Sequence, residues 1–109
     1  MKKYLLSNMT KGWFIGDFSP TIIKTQAVEV AIKQYKKGDH EARHHHKIAT
    51  EVTAIISGKC RMNDALLQAG DILVIEPGED TDFEVLEDVI TVVIKYPGAQ
   101  NDKYSGVLS

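Results

Sequence analysis

Residues 38–51 read Gly38-Asp39-His40-Glu41-Ala42-Arg43-His44-His45-His46-Lys47-Ile48-Ala49-Thr50-Glu51, and a largely apolar run then carries the chain to Gly58. On an extended strand, side chains two apart point to the same face. His44 and His46 therefore project together, and His45 is expected to turn away and be exposed. Glu51 opens the next β-prone run, after a link short enough to fold it back beside the pair. Two imidazoles and a carboxylate on adjoining strands suit one divalent ion of the Fe, Mn, Ni, Co or Zn group. Neutral imidazole and ionised carboxylate are both available at neutral pH, so binding costs little deprotonation. A run of three histidines can be a tag remnant, but its place inside a strand pattern argues otherwise.

The same rhythm extends in both directions. Short β-prone runs are expected at 21–25, 27–35, 42–46, 51–57, 59–62, 65–68, 71–75, 81–86 and 89–96. Between them lie turn signals such as Lys37-Gly38-Asp39, Ser57-Gly58, Asn63-Asp64, Ala69-Gly70 and Glu76-Pro77-Gly78-Glu79. In 27–35, Val28, Val30 and Ile32 share one face, and Glu29 and Lys33 the other. Run 89–96 is apolar on nearly both faces, so it belongs inside a sheet or against a partner subunit. No window sustains a helical period. The fold class is all-β, a sandwich or barrel.

The bulk numbers agree. A chain of 109 residues fits one domain, 1–109, and can bury roughly two thirds of its unfolded surface. With 43% hydrophobic residues and a net charge of −2, it is too apolar and too weakly charged for disorder. The single cysteine, Cys60, excludes an intrachain disulfide and a thiolate zinc cluster. No apolar stretch is long enough for a secretory signal or a membrane span, and a cytoplasmic location is expected. Residues 1–61 hold 11 Lys and Arg against 5 Asp and Glu, and residues 62–109 hold 2 against 10. Both halves interleave charge with β-patterned apolar residues, so two solvated faces of one domain are expected. A nucleic-acid partner is not, because no net basic excess exists.

The spacing Gly38, five residues, His44, one, His46, four, Glu51, six, Gly58 resembles the first signature motif of the cupin superfamily. Gly70-Asp71-Ile72-Leu73-Val74-Ile75-Glu76-Pro77-Gly78 resembles its second, and together they cover residues 38 to about 83. The resemblance, to a small RmlC-like single-domain cupin, implies a double-stranded β-helix (jelly-roll) barrel. It further implies a metal inside, ligated by His44, His46 and Glu51, and pairing into a homodimer through outer strands. The N-terminal segment 1–20, with Trp13, Phe14 and Phe18, would cap the barrel or contact a second subunit.

One departure stands out. The family's further histidine, three residues after the Pro-Gly glycine, falls on Thr81, a poor ligand for these ions. Three ligands then remain, similar to the two-His-one-carboxylate arrangement of non-haem iron oxygenases, or the site is weakened. His40 shares strand parity with His44 and His46 and could compensate, or it lies in the preceding turn. Cys60 and Met62 share parity and are expected to line the barrel interior, as is Phe83 with Thr81. Either Gln34 or Tyr35 should face inward. The acidic residues Glu76, Glu79, Asp80, Asp82, Glu84, Glu87 and Asp88 lack the order of a calcium loop and form a solvated rim.

Three functions stay open at this point. A metal-dependent enzyme of dioxygenase, lyase or isomerase type would act on a small polar metabolite. Alternatively, Arg43-His44-His45-His46-Lys47 is similar to a segment of the cupin-like sugar-nucleotide ketoisomerases, which need no metal and use histidine as base. Against that, Glu51 falls where those proteins tend to carry glutamine. The third is a non-catalytic binding or sensing module, favoured by the missing histidine and the lack of an evident acid–base pair beside the triad.

Overall fold

The computed structural model describes residues 1–99 and 102–105. These residues form eight strands: β1 (Trp13–Ile15), β2 (Glu29–Tyr35), β3 (His40–His45), β4 (Thr50–Met62), β5 (Ala65–Gln68), β6 (Ile72–Ile75), β7 (Thr81–Tyr96) and β8 (Tyr104–Ser105). A single 3₁₀ turn, Leu6–Asn8, precedes them. No helix among the described residues is long and apolar enough to cross a membrane.

All strand pairs are antiparallel, and β7 organises them. Its C-terminal half pairs with β2, its N-terminal end with β3, and nearly its whole length with β4 on the other side. β4 also holds β5 and β6, β1 extends the sheet beyond β2, and β8 adds to β3. The result is a double-stranded β-helix barrel with β4 and β7 as its two long bent staves.

Four expected strands thus merge into two. Ser57-Gly58 reads as a turn and residues 87–88 fall between two expected runs, yet both lie within continuous strands, with register shifts around residues 55–60. Gly58 makes this possible. Its φ is +87°, and a Cβ there would stand 2.0 Å from the Asp88 carbonyl oxygen. Residues 21–25 do not form a strand. Their pairing shrinks to one bridge, Ile15 to Ile23, with the Thr21 hydroxyl donating to the Ile23 carbonyl at 3.0 Å. The unexpected strand β1 takes the edge of β2 instead.

Inward positions on the two staves change character along their length. On β7, Thr81 and Phe83 give way to buried Val85 and Val89, then to Thr91, Val93 and Lys95. On β4, Glu51 and Thr53 give way to Ile55 and Cys60, then to Met62. Ile55, Cys60, Leu67, Phe83, Val85 and Val89 form the core, with Tyr35, Met62 and Leu73 packed on it. Each such aliphatic or aromatic side chain contributes roughly 1.5–3 kcal/mol. The threonines and charged residues left over line one open cavity beside this plug.

On β2 the inward set is Glu29, Ala31, Lys33 and Tyr35, so Tyr35 rather than Gln34 faces the interior. Val30 and Ile32 lie on the outer face, in register with Ile94 and Val92. The N-terminal segment divides its work. Tyr4, Leu5, Leu6, Met9 and Phe14 gather over Ile32 on the outside, whereas Trp13 reaches the cavity mouth.

Candidate functional site

The cavity has a volume of about 240 Å³, and its wall includes His44, His46, Glu51, Glu41 and Thr81. His46 follows the last residue of β3, and Glu51 is the second residue of β4. The Asp102 side chain holds the intervening loop. Asp102 accepts hydrogen bonds from the backbone N–H groups of Lys47 (2.9 Å), Ile48 (3.0 Å) and Ala49 (2.9 Å). Burial alone would push its carboxyl up, but these three donors outweigh that and hold it below the ordinary range. Its main-chain carbonyl meanwhile accepts from His46 Nδ1.

That last bond sets the chemistry of His46. With the proton on Nδ1, the lone pair of the neutral ring is on Nε2. Nε2 is buried without a hydrogen-bond partner, and it stands 3.3 Å from Glu51 Oε1. Two electron-pair donors facing each other call for a cation between them, either a proton or a metal ion. Ligand bonds of ~2.1 Å at a near right angle place two donor atoms about 3 Å apart. Glu51 is fixed from behind by the Thr53 hydroxyl, which donates to Oε2 at 2.9 Å. Burial pushes the Glu51 carboxyl up, but with a proton on His46 Nε2 the imidazole donates to it, and that bond and the Thr53 hydroxyl outweigh burial and hold the carboxyl below its usual range.

His44 repeats the pattern. Its Nδ1 lies 3.1 Å from the Ala42 carbonyl, which leaves the lone pair on Nε2. Its ring is 5.5 Å from the His46 ring, edge to face. Burial lowers its pKa, with Lys103 and His46 adding to the effect, so the ring is kept neutral as a ligand requires. Among the described residues, no group of three His, Cys, Asp or Glu side chains forms a finished cation cage. The cavity brings His46 and Glu51 to 3.3 Å of one another, with the half-buried His44 ring beside them on the same wall. Thr81 stands directly across the strand pair from His44 and lines the same cavity.

One expectation from strand parity is overturned, and the alternatives for His40 resolve to the surface one. His45 is not exposed: it is 4% accessible, its Nδ1 lies 3.0 Å from Asp80 Oδ1, and its ring stacks on Tyr104 at 5.6 Å. β8 covers the face that would otherwise be solvated. His40 does not join the site. It is exposed opposite Glu84, because a register shift between Glu41 and His44 puts the two histidines out of phase. The same bulge turns Glu41 inward, where it accepts a 3.0 Å hydrogen bond from the Tyr35 hydroxyl. Burial raises the Tyr35 pKa, with Glu41 adding to it, so the phenol stays protonated. Met62, Thr81 and Phe83 line the cavity as expected, but Cys60 is fully buried in the core. Asp102, Glu41 and the cavity lysines escaped the sequence reading. Asp102 carries no motif, and Glu41 is hidden by the bulge.

No family model matches the sequence, and no curated protein matches it. Solved structures do. An uncharacterized protein with a double-stranded β-helix domain from Klebsiella pneumoniae aligns at TM-score 0.67 and 24% identity, over 81% of this chain and 76% of that one. The fold is that of a cupin. An RmlC-like cupin from Shewanella frigidimarina aligns at TM-score 0.65 and 21% identity, over 72% of each chain. The DMSP lyase DddQ from Ruegeria pomeroyi aligns at TM-score 0.71 and 14% identity, over 85% of this chain and 49% of that one. At these identities the likeness carries the cupin fold and leaves the chemistry to the site itself.

Proposed function

We propose that this cupin-fold protein binds one divalent transition metal through His44, His46 and Glu51 and presents it to a small polar metabolite. The observation that carries the reading is the buried, unpartnered His46 Nε2 facing the ionised Glu51 Oε1 at 3.3 Å. When bound, the metal supplies a Lewis acid with open positions for a substrate oxygen. Backbone carbonyls fix both imidazole tautomers, Thr53 orients the carboxylate, and Thr81 leaves space beside His44. Tyr35 and Glu41 add a group able to hold or take a proton within the same cavity. That pair favours an enzyme of lyase or isomerase type over a passive binding module.

Elemental analysis of untagged protein purified without chelator tests the metal. Near one equivalent of one transition metal per chain is expected, lost in His44→Ala and His46→Ala variants that keep the wild-type circular dichroism. Well under one equivalent, unchanged by either substitution, would mean that the cation between His46 and Glu51 is a proton.

We also propose that a second copy of the chain covers the outer sheet face. Ile72 and Val74 on β6 are 68% and 58% exposed, and they continue the outer row of Val52, Ala54, Val92 and Ile94. Among the described residues β6 pairs with β4 alone, so its free edge can meet its own copy about a two-fold axis. Sedimentation should give a dimer that Val74→Lys converts to a monomer. A wild-type monomer at high protein concentration would refute this.

A further inference from the structure

Four lysines converge on the cavity wall: Lys11 ahead of β1, Lys33 on β2, Lys95 on β7 and Lys103 ahead of β8. The Lys33 and Lys95 ammonium groups lie 5.3 and 5.0 Å from the centre of the Trp13 ring. Lys33 Nζ donates to the Lys11 carbonyl at 2.9 Å. Lys95 stands across from Glu51 in register. This gathering is not general basicity, since the chain carries a net charge of −2, and residues 62–109 hold only two cations, Lys95 and Lys103. Both face this cavity.

Among the described residues, Lys24, Arg43, Lys59 and Arg61 each pair with a carboxylate. Lys2, Lys3, Lys36, Lys37 and Lys47 have no ion-pair partner among them but stand apart on the exposed surface, whereas the four cavity lysines, equally unpaired, share one wall. Like charges held together at a partly buried wall repel one another and lose hydration. Burial pushes the Lys33 ammonium below its ordinary value, and Lys11, Lys95 and Lys103 lower it further against the opposing pull of Glu41. Such an arrangement destabilises the empty protein and becomes favourable when an anion enters.

We infer that the cavity receives a small organic acid, its carboxylate held by Lys33 and Lys95 and its carbon skeleton against Met62, Phe83 and Val93. The inference rests on the proposed reading of the site, because it names what the metal would meet, but the lysines are placed without reference to the metal. A phosphate ligand is disfavoured. No arginine fork lines the cavity, and no α-helix among the described residues offers its N-terminus. The volume of about 240 Å³ equals roughly eight water molecules at ~30 Å³ each. That suits a short di- or tricarboxylic acid and is small for a sugar nucleotide.

Calorimetric titration of metal-free and Mn(II)-loaded protein tests the idea, with succinate and malate as probes against inorganic phosphate and butane-1,4-diol. The two acids are expected to bind the metal-free protein, less tightly as salt is raised, and the diol is not. A Lys33→Met/Lys95→Met variant should bind succinate at least about tenfold more weakly. It should keep or improve Mn(II) uptake, because a cation opposite Glu51 has been removed. Failure of both acids to bind wild-type protein, equal binding of phosphate or the diol, or succinate binding unchanged in the variant would each overturn the inference. The wild-type comparisons hold even if the variant folds poorly. Mn(II) uptake is measured separately, so loss of the metal reading and loss of this inference are distinguishable.

Discussion

Replacing Asp102 by alanine removes the carboxylate that ties the segment ahead of β8 to the loop between β3 and β4. Three backbone donors lose their acceptor. Lys47 and Ile48 are exposed and their N–H groups can turn to water, but Ala49 is fully buried. Losing a hydrogen bond to a charged group costs about 1.5–3 kcal/mol when the donor is stranded, and about 0.5–1 when water replaces it. The sum is about 3 kcal/mol, and a domain of this size should lose roughly 10–20 °C in Tm. The damage should reach the site, because the Asp102 carbonyl holds the His46 tautomer. Outer-shell losses of this kind weaken metal affinity about 10–100-fold. Asp102→Asn should cost less, since one oxygen remains for Ile48 and Ala49. Urea denaturation and Mn(II) titration of both variants read the two effects. A loss under about 0.5 kcal/mol in Asp102→Ala, far below one stranded donor, with unchanged Mn(II) affinity would refute the reasoning.

The remaining predictions address the same architecture. Thr53→Val deletes the donor to Glu51 Oε2, and metal affinity should fall about tenfold with little change in urea midpoint. Thr81→His places an imidazole across from His44, and Mn(II) or Ni(II) affinity should rise, measured by competition with a chelator. Gly58→Ala forces a Cβ to 2.0 Å from the Asp88 carbonyl at φ +87°, so the bend must shift and stability should drop by about 2 kcal/mol or more. Because the Asp102 carboxyl is held below its ordinary value, its stabilisation is complete above about pH 4, the unfolded value. It is lost as pH falls through the folded value, so the gap between wild type and Asp102→Ala should narrow below pH 4.

How far the sequence reveals this protein depends on whether a feature is carried by alternation or by a break in it. Strands, turns and the inward aim of His46, Glu51, Met62 and Phe83 follow from period two and from glycine, which give an all-β class; the double-stranded β-helix itself is implied by the resemblance of the 38–58 and 70–78 spacings to the cupin motifs. The failures share a cause. A bulge in β3 shifts the phase between Glu41 and His44, which sends His40 outward and Glu41 inward against simple parity. His45 looks solvated because nothing nearby in the chain covers it, yet Tyr104, fifty-nine positions on, stacks over its ring. Gly58 reads as the end of a strand because its positive φ serves a bulge as well as a turn. Asp102 and the lysines act only once distant segments meet, so no local spacing marks them.

The central claim is that one cation joins three side chains from β3, the loop after it and β4. Anomalous diffraction from crystals grown with Mn(II) or Ni(II) measures this directly. The account predicts a single strong peak within about 2.0–2.3 Å of His44 Nε2, His46 Nε2 and a Glu51 oxygen. A peak bound elsewhere, or a density-free gap between His46 and Glu51 at saturating metal, would contradict it.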